Sequence, residues 1–195
     1  MDIKEFKDAH KGSKFLVVGC GESAVEADKV SDCIVIGVND IDRLLAPDYL
    51  LVVNARAAFK EDRWAWVDKT RSKYIFSHLP DLPVPKSKLV TFRLGKYRQP
   101  TLGKDSIDYS NNSPYMACIL AYYMGASKVG VLGVDFTDNH FFGETGRHPL
   151  TGRLSEIQNE YRKLLDAFVD KNVGLYNLSS KSLLTSLPRC TAENF

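Results

Sequence analysis

Several classes of protein are excluded by what this chain has little of. Its four cysteines are far apart and form no Cys-x-x-Cys pair, which argues against a zinc ribbon or a redox motif. Cys20 is interpreted as a small residue in a tight turn, with a nucleophilic thiol as the alternative. No apolar run approaches the roughly 18 residues that a membrane span needs. The net charge is only +2 and basic residues alternate with acidic ones, so no global field points to nucleic acid or a membrane surface.

Size and composition place the chain among globular proteins. With 195 residues, 44% of them hydrophobic, it is long enough to bury one full core. We therefore predict a single domain over residues 1–195. The segment Met1–Lys14 is polar and charged, which is unlike a signal peptide. We expect a cytoplasmic protein without a transmembrane segment.

Short, β-rich apolar runs alternate along the chain with segments of helical pattern. Continuous apolar runs of this length are typical of strands that are buried on both faces. They cover residues 14–19, 33–38, 48–53, 73–76, 89–94, 129–134 and 173–177. Helices are expected at residues 24–30, 56–69, 114–124 and 154–171. This alternation predicts an α/β fold, a single doubly wound Rossmann-like domain with a mostly parallel central sheet.

Several predicted strands end in a glycine turn or a polar side chain. The first ends in Gly19-Cys20-Gly21-Glu22-Ser23, the next two end at Asn39 and Asn54, and the strand at 129–134 ends at Asp135. Ligands of a parallel sheet bind outside the carboxyl ends of its strands. We therefore expect these segments to meet at one edge and to form a nucleotide-binding site.

The residues of this edge suit a nucleotide chemically. The N–H groups of Gly19 and Gly21, with the Ser23 hydroxyl, would hold a phosphate or a ribose at the start of a helix. Asn39 and Asn54 each offer a donor and an acceptor, which reading a base or a ribose hydroxyl requires. The alternative is structural: a tight turn without a ligand, and asparagines that cap the next helices. The turn is neither G-x-G-x-x-G nor a Walker loop, so a dinucleotide dehydrogenase is only weakly supported.

A polar loop after Asp135 carries candidate catalytic groups. His140 and His148 flank Glu144 there, and a neutral imidazole is a suitable general base near pH 7. Asp135 would orient that base, or bind an acceptor hydroxyl or a metal ion. A metal site that also used Asp138 is an alternative, but the spacing matches no known ligand pattern. Both histidines also fit ordinary loop positions.

Another polar segment, at residues 95–112, lacks apolar periodicity. This predicts a mobile loop near the site or a surface excursion. It leads into Asn112 and Ser113, which we include among the nucleotide-binding candidates, and then into Pro114, which suits the first turn of a helix. Candidates to neutralise phosphates, with ordinary surface solvation as the alternative, are Lys104, Arg147 and Arg153.

These motifs resemble those of a known family. The turn 19–23 is similar to the G-N-G-P-S turn of bacterial sialyltransferases of the Campylobacter type, which also occurs in relatives described as pterin diphosphokinase-like. Asn39 and Asn54 match strand-end asparagines that contact the cytidine nucleotide in that family. Residues 112–136 are similar to its S-G-x-Y-M…G-x-x-x-I-x-L-x-G-I-D-F pattern. Residues 173–184 are similar to its closing strand and N-S-L-L element.

The resemblance implies a transferase that takes a nucleotide sugar as donor and works without a metal or another cofactor. It also implies a role for His148, which falls where the family places the catalytic base that deprotonates the acceptor hydroxyl. Two departures stand out. Glu22 replaces the proline of the family's turn, and Thr137 replaces a tyrosine that assists the departing phosphate. CMP-sialic acid is therefore one option among donors.

The resulting hypothesis is a glycosyltransferase-like enzyme whose acceptor is a hydroxyl group of a glycan, a small molecule or a modified nucleic-acid base. The residues expected to bind the nucleotide are Gly19, Gly21, Ser23, Asn39, Asn54, Asn112 and Ser113. The residues expected to act in catalysis are His148, Asp135 and His140, with Arg147 or Tyr115 steadying the phosphates. One alternative is an ATP-dependent diphosphokinase of the pterin type, with Asp135 and Asp138 as Mg²⁺ ligands. Another is a non-catalytic nucleotide-binding module.

Overall fold

The computed structural model describes residues 1–103, 105–137, 139–144 and 151–195, except for the side chains of Glu144 and Thr151. Its strands are Lys14–Val18 (β1), Ile34–Val38 (β2), Tyr49–Leu51 (β3), Tyr74–Ser77 (β4), Leu89–Thr91 (β5), Leu94–Tyr97 (β6), Ile107–Tyr109 (β7), Lys128–Leu132 (β8), Asn139–His140 (β9), Gly143–Glu144 (β10) and Gly174–Asn177 (β11). Its α-helices are Glu61–Asp68 (α1), Ser113–Tyr123 (α2) and Leu154–Val169 (α3). Its 3-10 helices are Ile3–Phe6, Glu22–Lys29, Ile41–Arg43, Arg56–Ala58, Thr151–Arg153 and Ala192–Asn194.

The central sheet has the strand order β5-β4-β3-β2-β1-β8-β11. Every neighbouring pair in it is parallel, so the predicted α/β fold with a parallel central sheet is confirmed. Residues 15–18 of β1 are fully buried. A strand that is covered on both faces needs a continuous apolar run, and this is why the pattern was readable in the sequence.

Helical segments cover both faces of the sheet. In β1, Phe15 and Val17 belong to the hydrophobic cluster that contains α2 and α3 residues. Leu16 and Val18 belong to a second cluster, which contains residues of α1 and of Glu22–Lys29. Successive side chains of a strand point to opposite faces, so these clusters lie on the two sides of the sheet, as in a doubly wound fold.

The chain changes its direction of travel across the sheet at β1. From β1 it moves outward through β2, β3, β4 and β5, and it then returns through α2 to β8, on the other side of β1. The chain therefore leaves the carboxyl ends of β1 and β8 in opposite directions, which opens a crevice between these neighbouring strands. Residues 19–23 and 133–137 lie side by side at this crevice.

Some predicted elements differ from the observed ones. The segment predicted as a helix at 24–30 is the 3-10 helix Glu22–Lys29, which no side chain caps. The helix predicted at 56–69 is divided into Arg56–Ala58 and α1. Neither segment has an apolar stripe like the one that made the helix at 154–171 predictable. That helix is observed as α3, which ends two residues before the predicted end.

The segment at 95–112 has regular structure that the sequence pattern did not predict. Strands β6 and β7 pair in parallel as a small second sheet. Asp108, in the middle of β7, is buried and accepts hydrogen bonds from the N–H groups of Lys96, Thr101 and Leu102 at 2.6–2.9 Å. A single buried carboxylate thus organises the described part of this segment.

Within the described residues, no helix has both the length and the apolar character needed to cross a membrane.

Candidate functional site

A cavity of about 370 Å³ lies at the carboxyl edge of the sheet, at the crevice between β1 and β8. It is lined by Cys20, Gly21, Val38, Asn39, Asn54, Arg63, Asn111, Asn112, Ser113, Pro114, Gly133, Val134, Asp135, Phe136, Thr137, Asn139 and His140. Seven of the predicted site residues are in this set: Gly21, Asn39, Asn54, Asn112, Ser113, Asp135 and His140. Segments that are distant in sequence therefore share one cavity.

The glycines of the 19–23 turn are there because the backbones of two strand ends approach closely. The N–H groups of Gly19 and Gly21 donate to the carbonyls of Leu132 and Gly133, each at 2.8 Å. A Cβ atom on Gly21 would lie 2.5 Å from a carboxylate oxygen of Asp135, so no larger residue fits. These amides are already used within the protein, and they are not the free phosphate donors that the sequence pattern predicted.

Ser23 lies behind the cavity and not in its wall. Its hydroxyl donates to Asp135 Oδ1 at 2.6 Å and accepts from the N–H of Gly133 at 2.8 Å. Its own N–H donates to Asp135 Oδ2 at 2.8 Å. Both functions of the hydroxyl are therefore occupied within the protein, and Ser23 is not among the residues that line the cavity.

Asp135 joins three parts of the chain. Besides the two bonds from Ser23, Asp135 Oδ1 accepts a hydrogen bond from the Ser179 hydroxyl at 2.9 Å. The residue is buried, and a buried carboxylate must be hydrogen-bonded in this way. Its position at the cavity wall therefore serves to hold the loops after β1, β8 and β11 in register.

Asn39 lines the cavity and carries an acceptor that the protein does not use. The residue has φ of 56°, in the left-handed region, and its N–H donates to the carbonyl of Leu51 at 3.1 Å. Its Oδ1 is buried and has no hydrogen-bond partner among the described residues. Since buried polar atoms are normally paired, this oxygen is suited to a donor on a ligand. Asn54, which is exposed, lies at another part of the same wall.

The beginning of α2 also faces the cavity. Asn112 is its N-cap: its Oδ1 accepts from the N–H of Tyr115 at 3.0 Å and from the hydroxyl of Tyr161 at 2.8 Å. Ser113 and Pro114 follow in the first turn and line the cavity. The amino end of α2, which carries the partial positive charge of the helix dipole, therefore lies at the cavity wall. Tyr115, in contrast, is buried in the core against Tyr161, with ring centroids 5.7 Å apart, and does not line the cavity.

Of the two histidines proposed as general base, His140 is the one that the structure describes, and it lies in the cavity wall. It lies in the short strand β9, which pairs with β10, and its ring stacks on Phe142 at 5.1 Å.

Of the other candidates, Arg153 does not line the cavity and pairs with Glu156 at 2.9 Å. Candidates outside the described residues are Lys104, Asp138, Arg147, His148 and the side chain of Glu144. Among the residues that are described, no cluster of three metal-binding side chains is present.

No protein-family model matches the sequence, and no curated protein matches it. Solved structures do match. The sialyltransferase CstII from Campylobacter jejuni, in complex with the substrate analogue CMP-3FNeuAc, superposes with a TM-score of 0.56 over 93% of this chain and 87% of its own, at 14% identity. The fold is that of the Campylobacter sialyltransferases.

Two further sialyltransferase structures give the same result. CST-II in complex with a trisaccharide acceptor and CMP matches with a TM-score of 0.56 over 93% of this chain and 88% of its own, at 13% identity. The monofunctional α-2,3-sialyltransferase Cst-I from Campylobacter jejuni matches with a TM-score of 0.56 over 94% and 82%, at 12% identity. The resemblance to sialyltransferases is confirmed at the level of the fold, while nothing in these comparisons supports its pterin diphosphokinase side.

Within this sialyltransferase fold, sequence reasoning missed Arg63. This residue of α1 lines the cavity, and its Nε donates to Asp40 Oδ2 at 2.9 Å while Nη2 donates to Asp40 Oδ1. Asp40 is fully buried directly after Asn39 at the end of β2. The sequence did carry one signal, because Asp40 is a second polar residue at the end of β2. Nothing in the sequence identified Arg63 as its partner.

The thiol of Cys20 also belongs to this cluster. Its Sγ lies 3.6 Å from Asp40 Oδ1 and 3.6 Å from the carbonyl oxygen of Val38. Burial, reinforced by the neighbouring Asp40 carboxylate, raises the pKa of Cys20 far above that of an ordinary thiol. Since the thiolate is the nucleophile, this environment favours the structural interpretation of Cys20.

A second cavity of about 320 Å³ adjoins the first. The two share Asn54, Asn111 and Ser113. The wall of the second cavity also contains His78, whose buried Nδ1 has no hydrogen-bond partner among the described residues. Burial lowers the pKa of His78 below its usual value. The polar edge of the sheet is therefore larger than the sequence motifs indicated.

Proposed function

We propose that this protein is a glycosyltransferase that transfers a sugar from a CMP-linked donor to a hydroxyl group. The observation that carries the proposal is the shared cavity at the crevice between β1 and β8. There Asn39, whose buried Oδ1 has no hydrogen-bond partner among the described residues, the exposed Asn54 and the first turn of α2 all line one volume. The fold match to sialyltransferases solved with CMP and with a CMP-sugar analogue gives independent support.

The geometry is consistent with a nucleotide in two respects. An amide such as that of Asn39 or Asn54 can pair with a ribose hydroxyl or with the donors and acceptors of a base. The amino end of α2 carries a partial positive charge, which favours a phosphate nearby. Asp135 has a positioning role in this proposal, because its hydrogen bonds to Ser23 and Ser179 hold the wall in place.

In the proposed reaction, His148 removes the proton from the acceptor hydroxyl. The acceptor oxygen then forms a bond to the anomeric carbon of the donor sugar, and the bond between that carbon and the phosphate oxygen breaks. The electron pair of this bond leaves with CMP. The sequence position of His148 supports its role as the base, and His140, at the cavity wall, is the second candidate.

The test combines binding with turnover. CMP, UDP, GDP, ATP and their sugars are screened by thermal shift, and we expect CMP and CMP-sialic acid to raise the melting temperature because they bind the folded state. Release of CMP from CMP-sialic acid is then measured with and without a panel of glycan acceptors. The variant His148→Ala should lower turnover by about 10²- to 10⁴-fold, the usual contribution of a general base, and should still bind CMP.

His10→Ala is the matched control, because His10 bonds to Tyr49 at the start of β3, on the opposite edge of the sheet. It should retain activity. If His140→Ala loses activity and His148→Ala does not, the base is His140. Release of AMP from ATP that stops on addition of EDTA would favour the Mg²⁺-dependent diphosphokinase instead. Binding of CMP without any turnover would favour a non-catalytic module, and no shift with any nucleotide would refute the proposal.

A further inference from the structure

If a nucleotide binds as in the proposed function, on which this inference rests, its phosphate brings negative charge into the cavity, and a group of the protein must meet that charge. A phosphate taken from water into a cavity needs a cation or hydrogen-bond donors in return. In many nucleotide-binding folds a glycine turn supplies them. Here the N–H groups of Gly19, Gly21 and Ser23 donate to Leu132, Gly133 and Asp135 and are not available.

Arg63 is the one lysine or arginine that the described part of the cavity wall contains. Two of its nitrogens, Nε and Nη2, donate to the two oxygens of Asp40. No residue of the described chain bonds to its Nη1. The guanidinium is therefore held in one orientation at the cavity wall, and its Nη1 is not used by any described residue. Paired guanidinium and carboxylate groups with a free donor are well suited to hold a second oxyanion.

The surroundings of this pair favour a fixed arginine over a mobile one. Asp40 is fully buried, and its Oδ1 also accepts from the Cys20 thiol at 3.6 Å. The ring of Phe142 lies 5.7 Å from the Arg63 guanidinium, and Arg43 lies 4.5 Å from that same ring. Such contacts between a cation and an aromatic ring stabilise the side chain in place. An arginine that is held before the ligand arrives loses little conformational entropy on binding.

We propose that Arg63 binds the phosphate of the nucleotide, and that Asp40 is the positioning residue that orients it. Arg63 thereby takes over the part that the 19–23 turn was predicted to play. In the sequence, the candidates for this role were Lys104, Arg147 and Arg153, and all three lie far from Arg63 along the chain. The ligand class is a nucleoside monophosphate or its ester.

The experiment compares a nucleotide with its nucleoside. Dissociation constants for CMP and cytidine are measured by titration calorimetry for the wild type and for Arg63→Gln, and the ratio of the two constants is the phosphate preference. We expect Arg63→Gln to lower the phosphate preference by about 10- to 100-fold, the value of a hydrogen bond to a charged group. Affinity for cytidine should be unchanged. Arg63→Lys, which keeps the charge without the fork, should have an intermediate effect.

Arg43→Gln is the matched control, because Arg43 contacts the same ring and does not line the cavity. It should keep the wild-type phosphate preference. Removal of Arg63 alone leaves Asp40 buried without its partner, so the double variant Asp40→Asn/Arg63→Gln is tested as well. It removes both charges, and it should again bind cytidine normally and lose the preference for CMP.

The other outcomes separate this inference from the proposed function. If Arg63→Gln and the double variant keep the full preference for CMP over cytidine, the assignment of Arg63 is wrong while the proposed function stands. If they lose only the preference for CMP-sialic acid over CMP, Arg63 binds the carboxylate of the sugar and the phosphate assignment is wrong. If the wild type binds neither CMP nor cytidine, both proposals fail.

Discussion

The polar side chains around the cavity differ in how far the protein already uses their atoms. Ser23 and Asp135 have their hydrogen bonds within the protein. Asn39 keeps a free acceptor, and Arg63 keeps free donors. Because buried polar groups are nearly always paired in folded proteins, free atoms indicate where a ligand binds. Saturated groups indicate what holds the site in shape.

This distinction gives a prediction for Asp135. In Asp135→Asn, an NH₂ group replaces one of the carboxylate oxygens that accept from Ser23. Either the N–H or the hydroxyl of Ser23 then loses its acceptor. We expect the free energy of unfolding to fall by about 1.5–3 kcal/mol, the range for hydrogen bonds to a charged group. Urea denaturation at neutral pH measures the change. Asp28→Asn, on an exposed turn of the 3-10 helix Glu22–Lys29, is the control and should have little effect. Equal stabilities for the two variants would contradict the role of Asp135.

At the scale of elements, α2 connects the core to the cavity. All its residues except Tyr122 are buried, so packing against the sheet stabilises it along its whole length. Its first turn nevertheless lies at the edge where ligands bind. The Asn112 cap satisfies the N–H of Tyr115 and receives the hydroxyl of Tyr161 from α3. One side chain therefore starts α2 and joins it to α3.

The capping role of Asn112 can be tested by comparison with the adjacent Asn111. Asn112→Ala removes the cap and leaves the Tyr161 hydroxyl without its acceptor, so we expect a loss of about 1–3 kcal/mol in the free energy of unfolding. Asn111→Ala changes the same residue type one position earlier, where the side chain is exposed, and should cost little. Both residues line the cavity, so a difference in stability separates the capping role from any role in binding. Similar losses in the two variants would argue against the cap.

For the molecule as a whole, the topology places the candidate site. Chain reversal at β1 joins the ends of β1, β2, β3 and β8 at one crevice, and the parallel sheet directs all four carboxyl ends to the same side. The second cavity extends this edge toward β4, whose last residue is followed by His78. The polar edge is thus built from loops that tertiary contacts hold in place.

Folding stability should depend on pH through His78. Burial lowers its pKa in the folded state below the ordinary value of 6.5. Between these two pKa values the unfolded chain binds more protons, so the free energy of unfolding falls as pH is lowered through 6.5 toward the folded pKa. We expect His78→Gln to remove this part of the pH dependence. Urea denaturation over about pH 5–8 measures it. His10→Gln is the control, and a pH profile unchanged in His78→Gln would refute the prediction.

Much of the fold was predictable because it depends on local patterns. The parallel strands followed from continuous apolar runs, and α2 and α3 followed from a proline start and an apolar stripe. The 3-10 helix Glu22–Lys29 was not predictable as such. Serine is a common helix N-cap, but Asp135, 112 positions away, engages the side chain of Ser23 instead.

The roles of individual site residues required the tertiary structure. Residue types at strand ends indicated that Gly21, Asn39, Asn54 and Asp135 would meet at one edge, and they do line one cavity. Which polar atoms stay free there depends on partners from distant segments, such as Asp40 for Arg63, 23 positions away. Periodicity is a property of neighbouring residues and can be read from the sequence. Hydrogen-bond saturation is a property of packed segments, and only the folded chain decides it.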